Sequence, residues 1–281
     1  MSRALKNLLF CGMMRLAVLL CAAILFFLLA VIFWNGVHGI SPSFLLTAAR
    51  DFGASGGILY QILGTILLVV TAGLISFPLA LGTAIFKSEF LRRPALHRMF
   101  DLLVYGLNGV PSIIFGLFGL IFFVTLLGTG ISWFVGSVIL AIMILPAIVL
   151  ATYQAINGIP QIYRESARAL GLNRWQVIRS VVLPQGLHGA VTGLLLGLAR
   201  AAGETAPIMF IATAFSGVDI PGTLLEPVSA LPTHILALAQ QANDPRALQN
   251  GWSASLVLLS LVLLLSSAAL YSRVKFNLRR S

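Results

Sequence analysis

Charge is what this sequence has least of: Asp, Glu, Lys and Arg together make up only 9% of its 281 residues. A soluble domain carries about a quarter charged residues, because its surface must face water. Such scarcity, with 59% hydrophobic residues, leaves most of the surface to be covered by lipid. Lysine is confined to Lys6, Lys87 and Lys275, and none of them follows a glycine as a nucleotide-binding phosphate loop requires. The chain therefore has no ATP site of its own. Cys11 and Cys21 both fall at or inside the first apolar stretch, which excludes a disulfide framework. His38, His97, His188 and His234 are scattered without metal-ligand spacing, so no metal site is assigned. No nucleophile-base arrangement is visible, and no catalytic residue is assigned.

What is present is a series of apolar stretches at 16–35, 58–86, 100–127, 131–154, 186–213 and 252–272. Each is long enough to cross a hydrocarbon core of ~30 Å. The basic start (Arg3, Lys6, Arg15) has the outline of a signal peptide, but the apolar run that follows is of spanning length and ends in no small-residue cleavage site. It reads as a retained first helix. Gly128-Thr129-Gly130 suits a tight turn between the third and fourth stretches. The expectation is a single all-α membrane domain over 1–281 with six transmembrane helices and both termini on one side.

The net charge of +10 is distributed in short runs between the apolar stretches, which is a pattern of membrane topology and not of a nucleic-acid groove. Arg3, Lys6 and Arg15, then Lys87, Arg92, Arg93 and Arg98, then Arg164, Arg168, Arg174 and Arg179, and finally Arg273, Lys275, Arg279 and Arg280 fall on one side. These are fifteen of the eighteen basic residues; Arg50 and Arg246 fall on the other side and Arg200 lies inside the fifth stretch. By the positive-inside rule both termini are cytoplasmic. The segment 214–251 is then extracytoplasmic. Within it, 233–242 has helical apolar spacing and reads as a packed loop helix, with a helix lying on the membrane surface as the alternative.

The loop at 160–184 reads as two short amphipathic helices. Gly171 can take the left-handed conformation that closes the first, and Asn173 can cap the second. Pro184 is expected to mark the end of the second. Glu165, Ala167, Gly171, Ile178, Leu183 and Pro184 stand at positions matching the EAA loop of ABC importer permeases, and this segment resembles it. Ser166 departs from the middle residue of the triplet. The resemblance implies a helix-turn-helix that docks into a cleft on a separate ATPase subunit, with Glu165, Ala167, Gly171, Leu183 and Pro184 as coupling residues.

The fifth stretch carries Gly189, Gly193, Gly197, Ala201 and Thr205 at four-residue intervals, a small-residue stripe that suits close helix packing. Arg200 and Glu204 are also four apart and are expected to share a helical face, with a bend at Pro207. An intramembrane arginine needs compensation. Either Glu204 forms a buried neutral couple with it, or Arg200 receives an anion through its planar fork while Glu204 orients it. In the third stretch, Asn108, Pro111 and Ser112 read as a kink satisfied by neighbouring helices, with an unwound turn facing the pathway as the alternative.

Leu198-Ala199-Arg200-Ala201-Ala202-Gly203-Glu204-Thr205-Ala206-Pro207 is similar to the signature of phosphate importer permeases of the PstA type. Gly109-Val110-Pro111-Ser112-Ile113-Ile114-Phe115-Gly116 and Pro227-Val228-Ser229-Ala230-Leu231-Pro232 agree with it. The resemblance implies a type I ABC importer permease of the bacterial inner membrane that carries inorganic phosphate, with Arg200, Glu204 and Thr205 in the substrate pathway. It further implies pairing with a second homologous permease subunit, two ATPase subunits that bind ATP and Mg, and an extracytoplasmic phosphate-binding protein. A permease for sulfate, molybdate or phosphonate is the nearest rival, and a secondary anion transporter a more distant one.

Overall fold

The computed structural model describes residues 3–91, 93–213 and 220–277. Arg92, Arg279, Arg280 and positions 214–219 of the expected outer loop lie outside them. The architecture is nearly all helical. Among the described residues, five helices are long and apolar enough to cross a membrane, and a sharply bent pair, taken as one span, makes a sixth. They are α1 (Arg3–Val37), α3 (Leu59–Ile85), the pair α4 (Pro94–Gly109) and α5 (Ser112–Gly119), α6 (Trp133–Asn157), α9 (Leu183–Gly203) and α12 (Pro245–Asn277). A short helix α2 (Pro42–Leu46) and a two-stranded antiparallel ribbon, β1 (Ala49–Arg50) with β2 (Ser55–Gly56), fill the link from α1 to α3.

Near its C-terminal end α1 meets the first turns of α12: Gln249 Nε2 donates to the Asn35 carbonyl (2.9 Å) and Ser253 Oγ to the Gly36 carbonyl (3.0 Å). The two helices are thus antiparallel, so the start of α1 and the end of α12 lie at one end of the bundle. Elsewhere α1 exposes apolar side chains such as Leu19, Phe26 and Phe27, as lipid contact demands. The core lies between α3, α6 and α9, where Leu68, Ile139, Leu140, Met143, Ile144, Ile148 and Ala202 are buried. The small-residue stripe has the packing role expected of it. A Cβ at Gly189 would lie 2.1 Å from the Cβ of Ala155, and one at Gly193 2.7 Å from that of Ala151. Only glycine lets α9 approach α6 so closely.

Two expected boundaries are corrected. The helix that opens the fifth span does not end at Pro184. It runs unbroken from Arg174 to Gly203 because a π-helical turn at Ile178–Val182 widens the backbone just before the proline. A wider turn removes the collision between the proline ring and the preceding carbonyls that would break an α-helix. The last span begins at Pro245 and not at 252, with proline at the first helical positions where no donor is missed. The outer segment has the packed helix that its sequence reading favoured. Its helix α11 (Leu231–Gln240) buries Leu231, Pro232, Thr233, His234, Ala237 and Leu238. The Leu231 amide donates to Thr65 Oγ1 of α3 (2.8 Å), and Val228 donates to the Ala212 carbonyl (2.9 Å).

Candidate functional site

Two of the spans are broken, and the breaks face each other. In the fifth, Pro207 has no amide hydrogen and its ring would collide with the Gly203 carbonyl in a continuing helix. The chain leaves the helix after Gly203. Glu204 is extended (φ −76°, ψ 126°), and Thr205 opens a new short helix, α10 (Ala206–Ile211). The expectation of a shared helical face is corrected by this: Glu204 and Thr205 stand outside α9. Arg200 Nε still reaches Glu204 Oε1 at 3.5 Å, now across the break.

The third span turns by 91° between α4 and α5. Pro111 forces the preceding Val110 out of the helical region (φ −69°, ψ 129°) and then sits at the entry to α5. This is a true elbow and not the plain kink expected from the sequence. It places Asn108 beside the fifth span, where Arg200 Nη1 donates to Asn108 Oδ1 at 3.4 Å. Gly116 explains why the two breaks stay in register. A Cβ there would lie 2.8 Å from Pro207 Cα and 3.1 Å from the Ala206 carbonyl oxygen, so α5 and α10 pack backbone to backbone.

Arg200 therefore bridges two unwound turns, with its side chain 39% exposed and that of Glu204 16% exposed. Backbone that leaves the helix within a span is tolerated only where it is covered by protein or lines a polar cavity. Here a cation, a carboxylate and an amide converge on one open spot. The arrangement can hold a small anion through the free edge of the guanidinium while Glu204 and Asn108 fix its plane. Sequence reasoning found Arg200 and Glu204 by their cost in lipid. It noted Asn108 without connecting it to them, because the two positions are ninety-two residues apart.

At the end of the bundle that carries the start of α1 and the end of α12, α7 (Gln161–Ala169) and α8 (Arg174–Val177) form the expected helix-turn-helix. Gly171 has φ +81°, its amide donates to the Arg168 carbonyl and the Leu172 amide donates to that of Ala167. That pair of bonds is the Schellman closure of a helix. Asn173 and Gln176 then form a reciprocal capping box that starts the next helix. Of the expected coupling residues, Glu165, Gly171 and Pro184 are exposed, Leu183 is half-buried and Ala167 is buried inward. Ile162, Tyr163, Leu170 and Trp175 are large, apolar and exposed around the turn.

The loop is anchored by residues that charge counting alone had assigned to topology. Arg164 donates to Glu89 (3.1 Å) and to the carbonyls of Ile159 and Ile156 at the end of α6 (both 2.9 Å). Glu89 sits in a π-helical turn, Phe86–Phe90, that follows α3. Lys87 of the same turn is 2% exposed and not a solvated loop charge. Its ammonium pairs with Asp101 and lies 3.9 Å from the Tyr153 ring centroid and 5.0 Å from that of Phe100. The carboxylate partner and the rings offset the cost of burying the cation.

The chain is similar over nearly its whole length to permease proteins of transport systems. It is 32% identical over 276 residues to the probable ABC transporter permease protein YqgI of Bacillus subtilis, covering 93% of this chain and 94% of that one. It is 30% identical over 278 residues to the phosphate transport system permease protein PstA of Pasteurella multocida, covering 98% and 95%. Among solved structures, the fold matches a bacterial alginate ABC transporter crystallised with its pentasaccharide-bound periplasmic protein, with a TM-score of 0.65 at 16% identity over 94% of this chain and 93% of that one. Residues 76–280 match the family of the binding-protein-dependent transport system inner membrane component, and this multi-pass membrane protein belongs to that family as an ABC importer permease.

Proposed function

We propose that the chain is a permease subunit of an ATP-driven inorganic phosphate importer and that Arg200, Glu204 and Thr205 line its substrate pathway. The observation that carries this reading is the Arg200 guanidinium, held by Glu204 on one broken helix and Asn108 on another, with Nη2 left without a partner among the described residues. A planar fork with a free edge matches two oxygens of a tetrahedral oxyanion. The similarity to PstA of Pasteurella multocida favours phosphate over sulfate, molybdate or phosphonate.

The transporter in this reading pairs the chain with a second homologous permease, two ATPase subunits that hold ATP and Mg, and an extracytoplasmic phosphate-binding protein. The exposed apolar side chains around Gly171 suit burial against an ATPase subunit, and Glu165 lies among them. The Arg164 clasp to Glu89 and α6 would pass a displacement of that loop to the spans. The fifteen basic residues that the sequence pattern assigns to one side support both termini being cytoplasmic in a bacterial inner membrane. ATP acts by binding more tightly to one of two states of the assembly, which is all a switch of access requires.

Phosphate uptake into proteoliposomes by the assembled transporter tests the site. Arg200→Lys keeps the charge but loses the fork, and uptake should fall sharply; Arg200→Ala should abolish it. If the pair is merely a buried couple, replacing both with Arg200→Leu and Glu204→Leu should restore assembly and uptake together. A double-leucine variant that imports phosphate at the wild-type rate would refute the reading.

A further inference from the structure

We infer that Asn108 and Glu204 make the Arg200 site selective for a tetrahedral oxyanion that still carries a proton, and reject one that carries none. The inference rests on the reading that Arg200 receives the anion, and adds which anions it admits.

The donor and acceptor inventory of the site leads there. A guanidinium can only donate, so the Asn108 atom that faces Arg200 Nη1 must be its carbonyl oxygen. That fixes the amide the other way round at its far side: Nδ2 keeps both hydrogens, and among the described residues neither has a partner. Glu204 accepts from Arg200 through Oε1 alone. Its Oε2 has no hydrogen bond among the described residues, and an ionised carboxylate accepts and never donates. Nη2 of Arg200 is likewise without a partner among the described residues. Where these three side chains meet, cationic N–H donors, neutral amide donors and one carboxylate oxygen are therefore unpartnered among the described residues.

Sulfate and molybdate at neutral pH have only acceptor oxygens. They satisfy Arg200 and Asn108 but meet Glu204 as lone pair against lone pair and negative charge against negative charge. Hydrogen phosphate and dihydrogen phosphate keep at least one P–O–H group. That group donates to Glu204 Oε2 in a charge-assisted hydrogen bond, while the other oxygens accept from Arg200 and Asn108. One carboxylate thus converts a repulsion into an attraction according to whether the anion carries a proton. This is discrimination by a built-in repulsive element, not by size. Arsenate, which has the same protonation pattern as phosphate, passes the same test. The two faces of the filter come from different broken helices, the elbow before Pro111 and the break before Pro207, which pack together through Gly116. The filter is complete only while both breaks stay in register.

The experiment is binding of radiolabelled inorganic phosphate to the purified, assembled permease and ATPase complex without its binding protein, so that only the permease site is read. Wild type should be competed by arsenate and not by sulfate. In Glu204→Gln the amide can donate to a sulfate oxygen, and the preference for phosphate over sulfate should shrink by at least about tenfold. Glu204→Asp keeps the acceptor and should keep the preference. Asn108→Asp replaces two donors with a second acceptor. It should weaken phosphate binding more at high pH, where the anion has one proton, than at low pH, where it has two. A purely structural role for Glu204 would lower affinity for both anions alike and leave their ratio unchanged. Wild type competed equally by sulfate, or a Glu204→Gln complex that binds phosphate with an unchanged ratio, would overturn the inference. Arg200→Lys binding phosphate as wild type does would instead overturn the site itself.

Discussion

Gly171 offers an unusually clean perturbation, because its φ of +81° is the only constraint on the position: a Cβ added there would meet nothing within 4 Å. Within this chain, any effect of a substitution must come from the backbone and not from packing. An L-residue in the left-handed region costs roughly 1–2 kcal/mol, least for asparagine and most for a β-branched side chain. The expected order of stability of the turn is Gly, then Asn, then Ala, then Val. A cost of 1.4 kcal/mol is about a tenfold loss in the population of the closed turn. Hydrogen exchange at the Gly171 and Leu172 amides, which donate to Arg168 and Ala167, should accelerate in that order. Assembly with the ATPase subunits and phosphate uptake should fall in parallel, while membrane insertion is unchanged. A Val variant with wild-type exchange at these amides would refute the Schellman closure. A Val variant with fast exchange but normal assembly and uptake would refute the docking role of the turn.

The remaining predictions concern other junctions. Arg164→Ala leaves the carboxylate of Glu89 buried without its partner, and the loss should be about 3–5 kcal/mol, read as a drop in thermal midpoint of the solubilised protein. Gly116→Ala must push α5 from α10, costing about 1–3 kcal/mol and parting Asn108 from Arg200, so that thermal stability and uptake fall together. Burial holds the His234 imidazole down from 6.5 to about 4, so the unfolded chain takes up a proton that the folded chain refuses. Stability is therefore full above pH 6.5 and lost as the pH falls towards 4, by about 3 kcal/mol, and His234→Gln should flatten that part of a thermal midpoint series. A reporter fused after Lys275 should be cytoplasmic and one after Asn243 external; an external signal at Lys275 would reverse the orientation.

Much of the coupling loop was legible because its signals are local. Gly171 with Asn173 and Gln176 specify a closure and a cap within six residues, and the structure forms both. The pairing of Lys87 with Asp101 and of Glu89 with Arg164 was not legible. A basic residue between apolar stretches looks the same whether it faces water or a buried carboxylate from another helix. Pro184 misled for a related reason. A proline breaks an α-helix, but a single π-helical turn absorbs it, and periodicity does not reveal where such a turn will fall.

By itself the sequence determined that lipid surrounds this protein, that its apolar stretches make six spans, and that an arginine at position 200 carries a cost in a span that something must offset. Those conclusions follow from composition, length and charge, which need no knowledge of neighbours. Only the tertiary structure decided that two spans are broken and not merely bent, that Glu204 has left its helix, and that Asn108 completes the arginine's surroundings. The reason is that each break is stabilised from outside its own segment. Gly116 must meet Pro207 and Ala206 for the elbow and the break to face each other, and Arg200 must reach across ninety-two residues of chain to find its second acceptor.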